Sequence, residues 1–275
     1  MKIIDMHTHV GSWQPENKYF DVDSLLHSFQ KVDVEYFCVS NLDVIDSKYG
    51  TDVPIEEEIN GNEKLFKLFE DEPRARFLLV CEPRYGNSSN IEFLIEKYKN
   101  KISGLKFHPE CHKTPANSML YHPYMELARK YKLPCLFHSG HVKSPYSSPK
   151  LIYELAKSYP DVSVILGHLS TGGLSSHKVA LKALNASIKT NNSKLFADIS
   201  WVDIPSIIYA IKSLSPCYDR LMFASDAPLG IYSNQDNYMA FIQAIKEAVE
   251  LEFENKEEIL NKLFFQNAKN LFKIE

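Results

Sequence analysis

Residues 3–9 read IIDMHTH, an apolar start followed by an acid and two histidines two positions apart. Side chains alternate faces along an extended segment, so Asp5, His7 and His9 are expected on one side of a strand. Two imidazoles leaving a strand together can chelate one cation. Taken alone, a histidine in a core strand more often serves structure than ligation. Three further stretches change that reading. His138 ends the apolar run in LPCLFHSG, His168 the run in SVILGHLS and Asp226 the run in LMFASDAP, and each is followed by a loop former. An eight-stranded α/β barrel carries its chemistry at the carboxyl ends of its strands, which is where all five residues fall.

Working outward, strand patterns cover residues 2–7, 35–40, 76–81, 102–107, 134–138, 162–166, 194–199 and 220–225. Between them run segments of helical periodicity, among them VDSLLHSFQKV, PYMELARKY and IPSIIYAIKSL, long enough to return the chain for parallel pairing. Asp21 and Asp23 open the first helix, Pro123 and Pro149 suit first turns, and Pro134 and Pro160 follow helices they cannot extend. The pattern predicts an α/β fold, a (β/α)8 TIM barrel. Two C-terminal amphipathic helices, QDNYMAFIQAIKEAVEL and KEEILNKLFFQNAKNLF, complete and cap it. A chain of 275 residues suits one such barrel of roughly 250 residues, so residues 1–275 are expected to form a single domain.

Composition narrows the function. With 44% hydrophobic and 24% charged residues the chain can bury a large core. A net charge of −4 offers no broad attraction for nucleic acid or acidic membranes. No signal-peptide pattern opens the sequence and no run approaches the ~18 apolar residues of a membrane span, so a cytoplasmic location is expected. Cys38, Cys81, Cys111, Cys135 and Cys217 are odd in number and widely spaced, and read as reduced, mostly buried thiols, with Cys111 in a polar loop. The expected partner is a small-molecule substrate, and assembly as a homo-oligomer is left open.

The longest unpatterned stretches, GSWQPENKYF, DVIDSKYGTDVPIEEEI, PECHKTPANSML and GHVKSPYSS, follow presumed strand ends and are expected to build the mouth of a site. Trp13, Tyr19, Tyr49, Tyr146 and Trp201 are candidate walls of that mouth. His141 is read as solvated in its loop. Neutral imidazoles with a carboxylate suit Zn2+ first and Mn2+ as an alternative, and a charge buried at a barrel rim is costly without a partner. The candidate ligands are His7, His9, His138, His168 and Asp226.

The DxHxH strand, the LPCLFHSG and VILGHLS strands, the FASDAPLG end and the terminal QNAKNLFKI segment together resemble the amidohydrolase superfamily. The likeness is strongest to its amidohydrolase-related (amidohydrolase 2) branch of metal-dependent TIM-barrel hydrolases and decarboxylases. It spans nearly the whole chain, and NAKNLF resembles the branch's closing helix, which no metal argument would select. The resemblance implies that His7 and His9 hold the first metal, that His138 is a further ligand, and that Asp226 both ligates and handles protons. His168 is implied either as ligand to a second metal or as acid, base or stabiliser at the substrate. Asp5 is expected to support the ligand shell. Lys106 lies where some members carry a carbamylated lysine between two metals, while the simpler expectation is an ion pair in the barrel. Lys106, His108 and Trp13 are the candidate substrate contacts. Glu82 resembles the glutamate of TatD-type deoxyribonucleases by position only.

The expected activity is hydrolysis of an amide, cyclic amide, lactone or ester of a small molecule by metal-activated water, with Asp226 and His168 as catalytic residues. The same ligands serve non-oxidative decarboxylation of an aromatic or unsaturated acid, the principal alternative. A TatD-type phosphodiesterase would favour a basic groove and two metals. A non-catalytic barrel would leave a complete ligand set without use.

Overall fold

A computed structural model describes residues 1–13, 18–45, 55–229 and 235–274. Its strands are β1 Ile3–Trp13, β2 Lys18–Phe20, β3 Val34–Asn41, β4 Ala75–Val80, β5 Ile102–Phe107, β6 Cys135–Phe137, β7 Ser163–Leu166, β8 Lys194–Asp198 and β9 Leu221–Met222. β1 and β3 to β9 pair in sequence order, every pair parallel. The chain beyond β9 then returns to β1. The Asp226 N–H donates to the His7 carbonyl at 2.8 Å, the His9 N–H donates to the Ala227 carbonyl at 2.8 Å, and Thr8 bridges Ala227 in parallel. Eight strands form the expected ring and helices occupy the connections, from Val22–Ser28 to Gln235–Glu252.

Strand alternation sorts the side chains into layers. Ile4, Met6, Cys38, Leu78, Leu136, Ile165 and Met222 fill the interior, which Ala268, Phe272 and Ile274 of the C-terminal segment seal from below. Residues of opposite parity, such as Leu79, Leu105, Phe107, Phe137 and Leu166, pack against the helix ring. One step further along the inward-facing positions the chemistry changes. There the strands end in Ser40, Lys106, His138, His168, Asp198 and Asp226, so apolar packing at the bottom gives way to ionisable groups at the carboxyl rim.

Three local features differ from the sequence pattern. β1 runs on to Trp13, because Gly11, Ser12 and Trp13 pair antiparallel with Phe20, Tyr19 and Lys18 across a hairpin that the pattern left as loop. The register of β1 against β3 shifts between Asp5 and Thr8. Finally, the last helix is three pieces: Lys256–Asn261, a π-helical turn Lys262–Gln266, and Asn267–Phe272. That wider turn aims the Leu263 carbonyl at the Phe223 N–H, 2.8 Å away, and lets the Asn267 amide donate to the Tyr218 and Leu221 carbonyls at 2.7 Å each. The closing helix thereby anchors the strand that leads to Asp226. No disulfide joins any of the five cysteines, and Cys38, Cys81 and Cys135 are buried. Among the described residues no helix is long and apolar enough to cross a membrane.

Candidate metal centre

The register shift in β1 decides which of its residues face the interior. His7 and His9 do, whereas Asp5 turns to the helix layer, contrary to the expectation that all three share a face. Asp5 accepts hydrogen bonds from the Tyr238 hydroxyl at 2.8 Å, the Ser225 hydroxyl at 2.5 Å and the Ser225 N–H at 3.0 Å. Burial pushes its carboxyl up to about 7 while these donors oppose the shift. It therefore ties β1 to the segment preceding Asp226 and to helix Gln235–Glu252, supporting the site through the backbone.

On the inner side three ligand-capable atoms converge. Asp226 Oδ1 lies 2.9 Å from His9 Nε2 and 3.1 Å from His7 Nε2, and the two imidazole nitrogens are 3.2 Å apart. His7 Nδ1 donates to Asp198 Oδ2 at 3.0 Å, and His9 Nδ1 meets the Ser40 hydroxyl at 2.9 Å. Asp198 is fully buried and accepts three more hydrogen bonds, all at Oδ1: from the His168 N–H at 2.8 Å, the Ser200 N–H at 3.0 Å and the Ser200 hydroxyl at 2.6 Å. Burial alone would raise this carboxyl, but His7, His168 and Ser200 hold it at about 2.

These contacts fix tautomers. With Nδ1 of His7 protonated against Asp198, its Nε2 is unprotonated and faces His9, Asp226 and the Lys106 ammonium. Ser200 spends its only hydroxyl proton on Asp198, so its oxygen accepts from His168 Nδ1 at 2.8 Å. His168 Nε2 is then also bare, 3.2 Å from His138 Nδ1. Burial lowers the basicity of His7, His9 and His168, and lowers that of His108 and His138 strongly, so all five imidazoles are neutral near pH 7. Asp226 goes the other way: burial pushes it up, but His7, His9 and His168 outweigh this and hold it well below the usual carboxylate range.

Among the described residues two groups could hold an ion, His7 with His9 and Asp226, and His7 with His168 and Asp198. A single imidazole protonated at Nδ1 serves only one of them. The Asp198 group is internally satisfied by hydrogen bonds, whereas the first group directs a lone pair and a carboxylate oxygen at a shared point. The first set therefore fits a divalent cation of the Zn2+ or Mn2+ kind, and the second set supports it. Lys106 approaches the same nitrogen. Its ammonium rests against His7 Nε2, and burial lowers its pKa to about 8 against the pull of Asp226 and Asp198.

The cavity, about 60 Å³, is lined by His7, His9, Trp13, Lys106, His108, His138, His168 and Asp226, with Leu42, Ile45 and Leu229 as apolar wall. All eight candidate site residues thus meet in one place. His138 stacks on His108 with ring centroids 4.1 Å apart, and His108 Nδ1 accepts from the Cys111 N–H at 3.1 Å. His168 (φ 62°), Trp201 (φ 59°) and Asp226 (φ 67°) have left-handed backbones without being glycine, as do Leu169 and Ser170 beside the first. At His168, Trp201 and Asp226 the conformation costs on the order of 1–2 kcal/mol each and turns a side chain inward where a strand would carry it onward.

Glu82 turns away from this cavity, pairing with His112 at 3.1 Å and accepting from the Arg84 N–H, so the positional likeness to the TatD glutamate has no counterpart at the rim. Among the aromatic wall candidates Trp13 lines the cavity. Trp201 donates to Asp226 Oδ2 at 2.8 Å. Tyr19 is exposed on β2, Tyr146 is half-buried in its loop, and Tyr49 lies outside the described residues. His141 is exposed. Sequence reasoning passed over Asp198, Ser40 and Ser200. The signal for Asp198 was present in KLFADIS, an acid inside an apolar strand, which a buried position forbids without a partner.

A closed parallel barrel whose carboxyl rim gathers imidazoles and a carboxylate defines the class of metal-dependent α/β-barrel enzymes. Within it, the family model described as Amidohydrolase matches residues 4–274, and the chain belongs to that family. No curated protein sequence matches it. Solved structures share its fold at low identity. A probable 2-pyrone-4,6-dicarboxylic acid hydrolase from Acinetobacter baumannii, with citric acid bound, is 17% identical with a TM-score of 0.69, covering 100% of both chains. The 5-carboxyvanillate decarboxylase from Novosphingobium aromaticivorans, complexed with manganese and 4-hydroxy-3-methoxy-5-nitrobenzoic acid, is 12% identical with a TM-score of 0.65, covering 99% of this chain and 96% of that one. The 4-oxalomesaconate hydratase from Rhodopseudomonas palustris is 14% identical with a TM-score of 0.65, covering 98% and 95%. The family is metal-dependent and includes both hydrolases and decarboxylases.

Proposed function

We propose that this enzyme is a metal-dependent hydrolase acting on an amide, cyclic amide, lactone or ester of a small molecule. The observation that carries the reading is the meeting of Asp226 Oδ1 with two imidazoles, one of which Asp198 locks with its lone pair inward. His7, His9, His138 and Asp226 would hold the ion, Zn2+ or Mn2+. When bound, such an ion supplies Lewis acidity, polarising a carbonyl and making water acidic near neutral pH.

The protein's own groups do the rest. Asp226, held ionised, accepts the proton of the attacking water and returns it to the leaving nitrogen or oxygen. His168, neutral with a bare Nε2, accepts rather than donates, so it faces a hydroxyl or N–H of the substrate or serves as one more ligand. Lys106, His108 and Trp13 form the wall against which the substrate lies, and Leu42, Ile45 and Leu229 exclude water.

Decarboxylation of an aromatic or unsaturated acid is the second reading. It is favoured by the Lys106 ammonium, a cation suited to a carboxylate, and by the manganese-bound decarboxylase of the same fold. The test is a screen of lactones, cyclic amides, esters and aromatic acids with protein loaded with Zn2+ or Mn2+, followed in water enriched in 18O. Heavy oxygen in the product supports hydrolysis. Release of CO2 without it refutes hydrolysis and selects the second reading.

A further inference from the structure

Asp226 divides its two oxygens between different partners: Oδ1 faces His7 and His9, while Oδ2 accepts from the Trp201 indole N–H at 2.8 Å. Several features set Trp201 apart from a packing residue. It is 45% exposed and its backbone is left-handed, a conformation that a bulky side chain takes only where the surroundings impose it. It directly follows Ser200, whose hydroxyl joins Asp198 to His168. The segment 198–201 therefore reaches His7, His168 and Asp226 at once.

An indole N–H only donates, so Trp201 can neither ligate a cation nor accept a proton; it can only occupy a lone pair of Oδ2. That restriction bears on the metal. A carboxylate binds a cation through one oxygen or both, and binding through both fills a coordination position that an open site reserves for water or substrate. We infer that Trp201 is a positioning residue that restricts Asp226 to ligation through Oδ1 and so keeps that position open. The inference rests on the metal-dependent reading above.

Cobalt is the probe. With Co2+ bound in equal amount to wild type and Trp201→Phe, the visible bands report the number of ligands, because Co2+ of low coordination number absorbs far more strongly than six-coordinate Co2+. The expected result is a loss of visible absorbance per bound ion in the variant, with about a tenfold change in Co2+ affinity by chelator competition. Equal content with superimposable spectra overturns the inference and leaves the metal reading standing. A wild-type chain that takes up no Co2+ defeats the metal reading and the inference with it. Should Trp201→Phe fail to fold, the same contact is read in wild type. The chain has two tryptophans, and the Trp201 indole proton, assigned with Trp13→Phe, is expected downfield and displaced upfield in Asp226→Ala. An indole signal identical in both proteins overturns the inference.

Discussion

Replacing Asp198 by Asn keeps the size of the side chain and removes its charge, and the hydrogen-bond pattern dictates the response of its neighbours. Among the described residues, Oδ1 of Asp198 accepts from three donors, the His168 N–H, the Ser200 N–H and the Ser200 hydroxyl, while Oδ2 accepts from His7 Nδ1 alone. An asparagine therefore keeps its carbonyl at Oδ1 and places its NH2 against His7. Donor then meets donor, and His7 relieves the conflict by moving its proton to Nε2, the atom that faces His9 and Asp226. The lone pair needed for the metal is lost, and the expected cost is about 10- to 100-fold in affinity, or about 1.4–2.7 kcal/mol. Stability falls as well. A carboxyl held at about 2 instead of 3.8 stabilises the fold by about 2 kcal/mol above pH 3.8, a contribution lost as pH falls towards 2, and the Asp198→Asn variant lacks it at every pH. Chelator competition for Zn2+ gives the affinity, and imidazole 15N shifts give the His7 tautomer. A variant that binds Zn2+ within about twofold of wild type, with His7 still protonated at Nδ1, refutes the argument.

Three further outcomes are expected. Lys106→Met stabilises the metal-free protein at pH 7 by about 3 kcal/mol, because burial lowers the folded-state pKa from 10.5 to about 8; the advantage shrinks between those values as the wild-type folded chain sheds its proton first, and urea midpoints at pH 7 and 10 check it. Asp226→Asn lowers turnover by about 10²- to 10⁴-fold, as loss of a proton-transfer group does, and undiminished kcat on the substrate identified by the screen removes Asp226 from that role. His168→Ala keeps its full complement of metal and loses turnover to a similar extent, whereas elemental analysis showing an equivalent of metal lost makes His168 a ligand.

Much of this architecture is legible in the sequence because a parallel barrel buries its strands on both faces. Runs such as SVIL and LKF are then continuous and bounded by loop formers, and the residue ending each run marks the rim. His138, His168 and Asp226 could be assigned to one place on that basis alone. What the period could not show was a break in the period itself: the β1 register shift sends Asp5 outward while His7 and His9 stay inward. The hairpin to β2 was hidden because WQPENK reads as polar loop, although Gly11 and Phe20 pair across it. The hydrogen bonds that decide tautomers join residues far apart in the chain, His7 to Asp198 and His9 to Ser40, and no local pattern announces a partner nearly two hundred positions away.

The central claim is that His7, His9 and Asp226 form a divalent-metal site, and elemental analysis of the protein purified without added metal addresses it most directly. The account predicts bound Zn2+ or Mn2+ in wild type and its loss from the His7→Ala/His9→Ala double variant. No metal in either protein, even after incubation with Zn2+ or Mn2+, would contradict it.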